Sequence, residues 1–299
     1  MRAQDPESIG EDANLMAAGA AKLGYESIPA MRNQKHCAGS NNCAFGCPTD
    51  AKQSVLLTYI PRLLASGGDV FSHCRIDTIL TERGRAVGVE GRVVHAETGE
   101  KGPRLRIRAR VVILAAGAIQ TPVLLQKNGL ANSSGMLGRN FLCHPNAKVI
   151  GVFDHDLHSW KGVIQGNQIR EFLDEGIMIT TSMVPPGLLA MSLPQIGEEL
   201  HDVMKDYRRM IVAGCLVEDT TTGRVTTDLF GEAKMRYDLC DRDHANLIRG
   251  VGLTAEILFA AGARRVYLPF DHLNSIDSPD EITRLFSTPI PKDEVECLT

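Results

Sequence analysis

Three of the chain's eight cysteines fall within eleven residues, in HCAGSNNCAFGCPTDAK, spaced Cys37-x5-Cys43-x3-Cys47 with Pro48 directly after. Thiolates grouped in this way can hold iron, and the bacterial ferredoxin pattern C-x2-C-x2-C-x3-C-P places its four slots here at Cys37, Ser40, Cys43 and Cys47. Serine is a poorer iron ligand than thiolate, so a three-iron cluster fits the spacing better than a four-iron one. Gly39, Asn41, Asn42 and Gly46 would let backbone amides turn toward cluster sulfides. Three other readings stay open: a zinc site completed by His36, a disulfide that leaves one thiol over, and a tight loop in which the thiols only pack. Cys74, Cys143, Cys215, Cys240 and Cys297 are scattered and read as buried thiols.

Other groupings carry less chemistry. FDHDLHSW brings Asp154, His155, Asp156 and His158 close in sequence, but at a turn between strands, where a solvated loop is expected. His144, ahead of Pro145, reads as a hydrogen-bonded structural histidine. The chain has no G-x-S-x-G, P-loop or H-E-x-x-H pattern. GVGLTA at 250–255 lies inside a helical pattern and follows no strand, so it is no dinucleotide fingerprint.

These residues need a scaffold, and the pattern changes along the chain describe one. Residues 8–23 read as a helix with a Ser8/Glu11 capping box, and Thr49 or Asp50 to Ser66 as a second, kinked at Pro61. DVFSHCRIDTILTER, GRAVGVEGRVVHAE and RLRIRARVVILAAG read as strands. In the last, arginines alternate with Leu105, Ile107 and Ala109, the mark of one wet face; from Val111 to Ala116 the run is apolar on both faces. Such a run suits a central parallel strand covered on both sides. It turns at Ala115, Ala116 and Gly117 into the helix AIQTPVLLQKNG, and a strand end that turns at small residues is where doubly wound sheets admit a dinucleotide.

Beyond residue 143 the texture becomes that of an antiparallel sheet, with strand candidates AKVIGVFDHDL, KGVIQGNQIREF, EGIMITTSMV, RRMIVAGCLVED and GRVTTDLF. IGEELHDVMKDYRRM reads as an amphipathic helix with Ile196, Leu200, Val203, Met204 and Tyr207 on one face. A longer helix runs from Asp241 to Gly262, its Leu247, Ile248, Val251, Ala255 and Leu258 packing on the sheet. The expected class is α/β (α+β overall), with a partial doubly wound sheet in 1–143, including the Cys-rich loop 36–49, and an antiparallel sheet flanked by helices in 144–299.

The 299 residues are 43% hydrophobic and 23% charged, with a formal net charge of -4. That balance gives no general attraction to nucleic acid or anionic lipid. No apolar run is long enough to span a membrane, and the first residues show no signal-peptide pattern; the compartment is left unassigned.

Several of these stretches together resemble one family, the glucose–methanol–choline (GMC) flavoprotein oxidoreductases. VVILAAGAIQTPVLLQKNGLAN is similar to the family's second signature: Gly117, Ala118, Thr121, Pro122, Leu124, Leu125, Gly129 and Leu130 match, while Asn128 and Ala131 stand where Ser and Gly are usual. GRNFLCHP resembles the passage from the FAD domain to the substrate domain, and GDVFSHCRIDTILTERGRAVGVEG the strand pair beside the adenine end of FAD. The resemblance spans roughly residues 5 to 285. It implies FAD as cofactor, with Ile76, Ala115, Ala116 and Gly117 against it. It implies oxidation of an alcohol or sugar hydroxyl by hydride transfer to flavin. The Cys-rich loop is similar to that of a bacterial branch in which three cysteines hold a [3Fe-4S] centre; this implies Cys37, Cys43 and Cys47 as metal ligands and an electron-acceptor partner.

The family's opening G-x-G-x-x-G unit and its closing catalytic-histidine segment have no counterpart here, so the expectation is a central fragment, inactive alone, and no catalytic residue is carried over. Two other readings come from different classes: an iron–sulfur electron-transfer module, and a catalytically inactive homologue.

Overall fold

The computed structural model describes residues 2–220 and 222–295. The chain divides into two compact units, one formed by residues 1–59, 144–220 and 239–299, the other by 60–143 and 221–238. The division is not a single cut at residue 143, because residues 1–59 pack with the second half of the chain. Cys297, expected to be a buried thiol, lies outside the described residues.

The first unit is built on a seven-stranded antiparallel sheet. Its order across the sheet is Ser275–Ile276, Arg265–Tyr267, Asn146–Val152, Met210–Val217, Ile177–Thr181, Asn167–Ile169 and Ser27–Pro29. Successive side chains point to opposite faces, and both faces of the central strands are apolar. On one face Ala147, Val149, Ile177, Ile179, Ala213 and Cys215 meet Leu247, Val251, Ala255 and Leu258 of the long helix Asp241–Ala261, with Met16 and Ala20 of the helix Glu11–Lys22 beside them. On the other, Ile150, Val152, Met210 and Val212 are covered by Leu189 and Val203 of the short helices Pro186–Met191 and Gly197–Met204. The buried Val, Leu, Ile and Met side chains among these contribute roughly 1.5–3 kcal/mol each by area removed from water.

Local departures from expectation have local causes. The first helix starts at Glu11 with Gly10 as N-cap, because the Ser8 hydroxyl donates to the Asp5 carbonyl and lies in a preceding 3₁₀ turn. The helix after the Cys-rich loop begins only at Val55: Asp50 sits at φ 54°, outside helical space, and Lys52 pairs with Gln34 as an isolated bridge. The expected amphipathic helix at 196–210 closes after Met204, and Ile196 is exposed at its N-cap. Cys240 is not a buried thiol but the N-cap of the long helix, its sulfur accepting from the Asp243 N–H at 3.4 Å. Cys74 and Cys143 are also only half-buried; Cys215 alone of the scattered thiols is buried among the described residues.

The second unit holds two three-stranded antiparallel sheets. One is the meander Cys74–Glu82, Arg85–Val94, Lys101–Arg108. Its outer arginines are solvated, with Arg106 on Glu90 at 2.6 Å and Arg108 on Glu82 at 2.5 Å. The other joins Ala233–Arg236, Gly223–Thr227 and Arg139–Phe141. The helix Gly117–Lys127 is tied to it where Gln126 Nε2 donates to the Val225 carbonyl at 2.8 Å.

The α/β character expected from the sequence is observed. One element departs from it. Val111–Ala116 forms no ladder with any strand among the described residues, and Val111 and Ile113 are 73% and 84% exposed. A strand apolar on both faces needs neighbours on both edges and cover on both sides; the described residues supply no strand to either edge, so no parallel sheet forms.

Candidate functional site

In the second unit the meander and the 111–116 segment enclose a cleft of about 450 Å³. Its wall contains no charged side chain. Val112 and Leu114, the half-buried members of the segment, line it together with Val89 and Ile107 of the meander and Leu124 of the following helix. Ile76 and Ala116 line this cleft and also a smaller one of about 210 Å³ next to it. The fold thus brings Ile76 together with Ala115 and Ala116. Gly117 opens the helix at φ 81°, and a Cβ built on it would meet nothing within 4 Å, so glycine is required there for backbone conformation rather than for space.

Ile76 is placed by a β-bulge. Ile76 pairs with Gly91 and Thr78 with Glu90, which leaves Asp77 unpaired. The side chain of Asn128 fills the gap: Nδ2 donates to the Asp77 carbonyl at 3.1 Å and Oδ1 accepts from the Ile79 N–H at 2.9 Å. At the other end of the helix the Ala116 N–H donates to Thr121 Oγ1 at 3.0 Å. With that N–H taken and no charge in the wall, the cleft suits the flat ring of a nucleotide rather than its phosphates. Small side chains, bare backbone and apolar lining therefore fit a flavin dinucleotide's ring end.

The Cys-rich loop belongs to the first unit. It is pinned by the Asn41 N–H donating to Gly162 O at 3.0 Å, by Asn41 Nδ2 donating to Ser159 O at 2.9 Å, and by Lys52 Nζ donating to Cys43 O at 2.8 Å. Cys37, Cys43 and Cys47 are free, half-buried thiols around one cavity of about 650 Å³. The expected metal site is not assembled: among the described residues no three His, Cys, Asp or Glu side chains gather as a metal-holding group. The loop's anchors all go to backbone carbonyls. The Cys47 thiol is held below its ordinary range by backbone N–H groups, that of Lys52 foremost and then that of Thr49.

The same cavity has cationic walls, which no motif in the sequence announces. Lys148 is the lone charge in the strand Asn146–Val152, a signal visible in AKVIGVF, and it donates to Ser182 Oγ at 3.1 Å. Burial lowers its pKa from the ordinary lysine range. Gly214 lies opposite it in the ladder, and a Cβ there would stand 3.0 Å from the ammonium nitrogen. Arg32 donates to the carbonyls of Ile164 and Gln165. In the FDHDLHSW stretch Asp154, His155 and Asp156 are exposed, with Asp156 paired to Arg208 and Arg209, while Phe153, Leu157 and Ser159 are buried.

Residues 1–146 match the family described as GMC oxidoreductase. The chain is 35% identical over 261 residues to an uncharacterized GMC-type oxidoreductase of Mycobacterium tuberculosis (strain H37Rv), covering 87% of this chain and 40% of the relative. It is 28% identical over 295 residues to another from Sinorhizobium fredii, covering 98% and 57%. It is 27% identical over 276 residues to long-chain-alcohol oxidase FAO1 of Arabidopsis thaliana, covering 84% and 35%. The chain carries, over residues 1–146, a domain of the GMC oxidoreductase family. It spans between about a third and three fifths of the length of these relatives.

Proposed function

We propose that the chain forms part of an FAD-dependent oxidoreductase acting on the CH–OH group of an alcohol or sugar, with Ile76, Ala115, Ala116 and Gly117 against the cofactor. The observation that carries this is the uncharged cleft in which Ile76 meets the bare turn at Ala115–Ala116, within the stretch that matches the family. Bound FAD supplies the acceptor for a hydride from the carbinol carbon. This chain's residues would seat the ring: Ile76 and Leu124 give apolar contact, and the alanines let backbone approach closely. Residues 1–143 then carry cofactor contacts, and the part of the seven-stranded sheet that comes from 144–299 the substrate contacts. The long-chain-alcohol oxidase among the relatives agrees with a hydroxyl-bearing small molecule as substrate.

Equilibrium dialysis of the purified chain against FAD tests the reading. Retained flavin, with affinity reduced at least tenfold by Ala115→Trp, is the expected result. No retention by the wild-type chain, or equal retention by the variant, would overturn it.

A further inference from the structure

The cavity beside the Cys-rich loop carries cations and no anion. Arg32, Lys52 and Lys148 line it, and no Asp or Glu does. Lys148 lies on the sheet face of Gly214 and Thr180, since residues directly opposite in a ladder share a face. Farther along the same strands that face is apolar, covered by Leu189 and Val203. Its ammonium therefore emerges at the end of an apolar sheet surface, where it donates to a neutral hydroxyl, Ser182 Oγ. None of the ion pairs among the described residues includes Lys148 or Arg32.

Two further donors in the wall are unsatisfied. Arg32 Nε and Gln34 Nε2 are buried with no acceptor. A buried cation without a counter-ion is costly, and a buried N–H without an acceptor adds about 1–3 kcal/mol. Proteins retain such arrangements where a ligand completes them, and carboxylates take charge-assisted hydrogen bonds from both lysine and arginine. The cavity, at about 650 Å³, lies within the size range of small-molecule sites.

We propose that this cavity binds a small organic carboxylate, with Lys148 as the anchoring cation and Arg32 and Gln34 as supporting donors. That the bound acid is also the substrate rests on the oxidoreductase reading above; that it binds does not. Gly214 takes part by leaving room for the ammonium: any side chain there would crowd Nζ.

Isothermal titration calorimetry on the purified 299-residue chain at pH 7 and low salt tests the proposal without flavin or turnover, so its failure is separable from failure of flavin retention. The probes are galactonate, its neutral counterpart galactitol, which differs only in the carboxylate, and inorganic phosphate. Galactonate is expected to bind at least tenfold more tightly than galactitol. Lys148→Met should remove that advantage and leave the weak galactitol signal unchanged, while Lys148→Arg retains most of it. Equal binding of the two probes by the wild-type chain overturns the proposal without any variant. So does an unchanged galactonate affinity in Lys148→Met, and so does tight phosphate binding with none for galactonate.

Discussion

Asn128 Oδ1 accepts from the backbone N–H of Ile79 at 2.9 Å, which fastens the end of the Gly117–Lys127 helix to the meander strand just past its bulge. The same side chain donates to the carbonyls of Asp77 and Leu124, so one residue serves three backbone groups. Asn128→Ala leaves the Ile79 N–H and the bulge carbonyl without these partners. A loss of about 1–3 kcal/mol is expected, read as a lower urea midpoint at unchanged slope. An unchanged midpoint would show that the bulge holds itself.

Gly214→Ala tests how the ammonium of Lys148 is accommodated. The added Cβ would meet the far end of a flexible side chain at 3.0 Å, its next nearest atoms being Lys148 Cδ at 3.5 Å and Ala147 O at 3.6 Å. Stability should therefore change by less than about 1 kcal/mol, while galactonate affinity falls severalfold as the ammonium is displaced from Ser182. Large destabilisation with unchanged binding would contradict this.

Asp12 gives a pH dependence with a definite sign. Burial raises its pKa from 3.8 to about 7, outweighing the opposing pull of the Ala13 backbone N–H. A folded-state pKa above the unfolded value means the folded chain holds a proton that the unfolded chain releases. The cost of Asp12 is absent below about pH 4, grows as pH rises, and levels off above about 7. Over that window it amounts to about 4 kcal/mol. Asp12→Asn should thus gain on the wild type between pH 4.5 and pH 8 in paired urea titrations. A difference independent of pH would contradict the assignment.

Cys47 should be the first thiol of the loop to alkylate. Its lowered pKa raises the thiolate fraction at neutral pH, and thiolate is the reactive form. Peptide mapping after brief iodoacetamide treatment at pH 7 should find Cys47 modified ahead of Cys37 and Cys43. Uniform protection of all three would instead indicate that they share a bound metal.

The legible parts of the sequence were those whose cause is local or periodic. The long helix is announced by the spacing of Leu247, Val251, Ala255 and Leu258 and by Gly262 at its end, in left-handed conformation at φ 109°. The alternation in RLRIR marks the outer meander strand. The convergence of Ile76 with Ala115 and Ala116 was available only through resemblance, because a bulge forty residues away sets it. The Cys-rich loop shows the limit from the other side: spacing of thiols along a chain does not fix where Asn41 and Lys52 anchor it. Val111–Ala116 shows the same limit, since its apolarity on both faces demands neighbours but does not name them. Lys148 was visible as a charge in an apolar strand, yet only the pairing with Gly214 reveals the space around it.

Hydrogen exchange read by mass spectrometry, on the chain with and without saturating FAD, tests the central claim most directly. The account predicts slower exchange concentrated at Val111–Ala116 and around Ile76, with the seven-stranded sheet unchanged. Exchange in those two segments that is indifferent to FAD would contradict it.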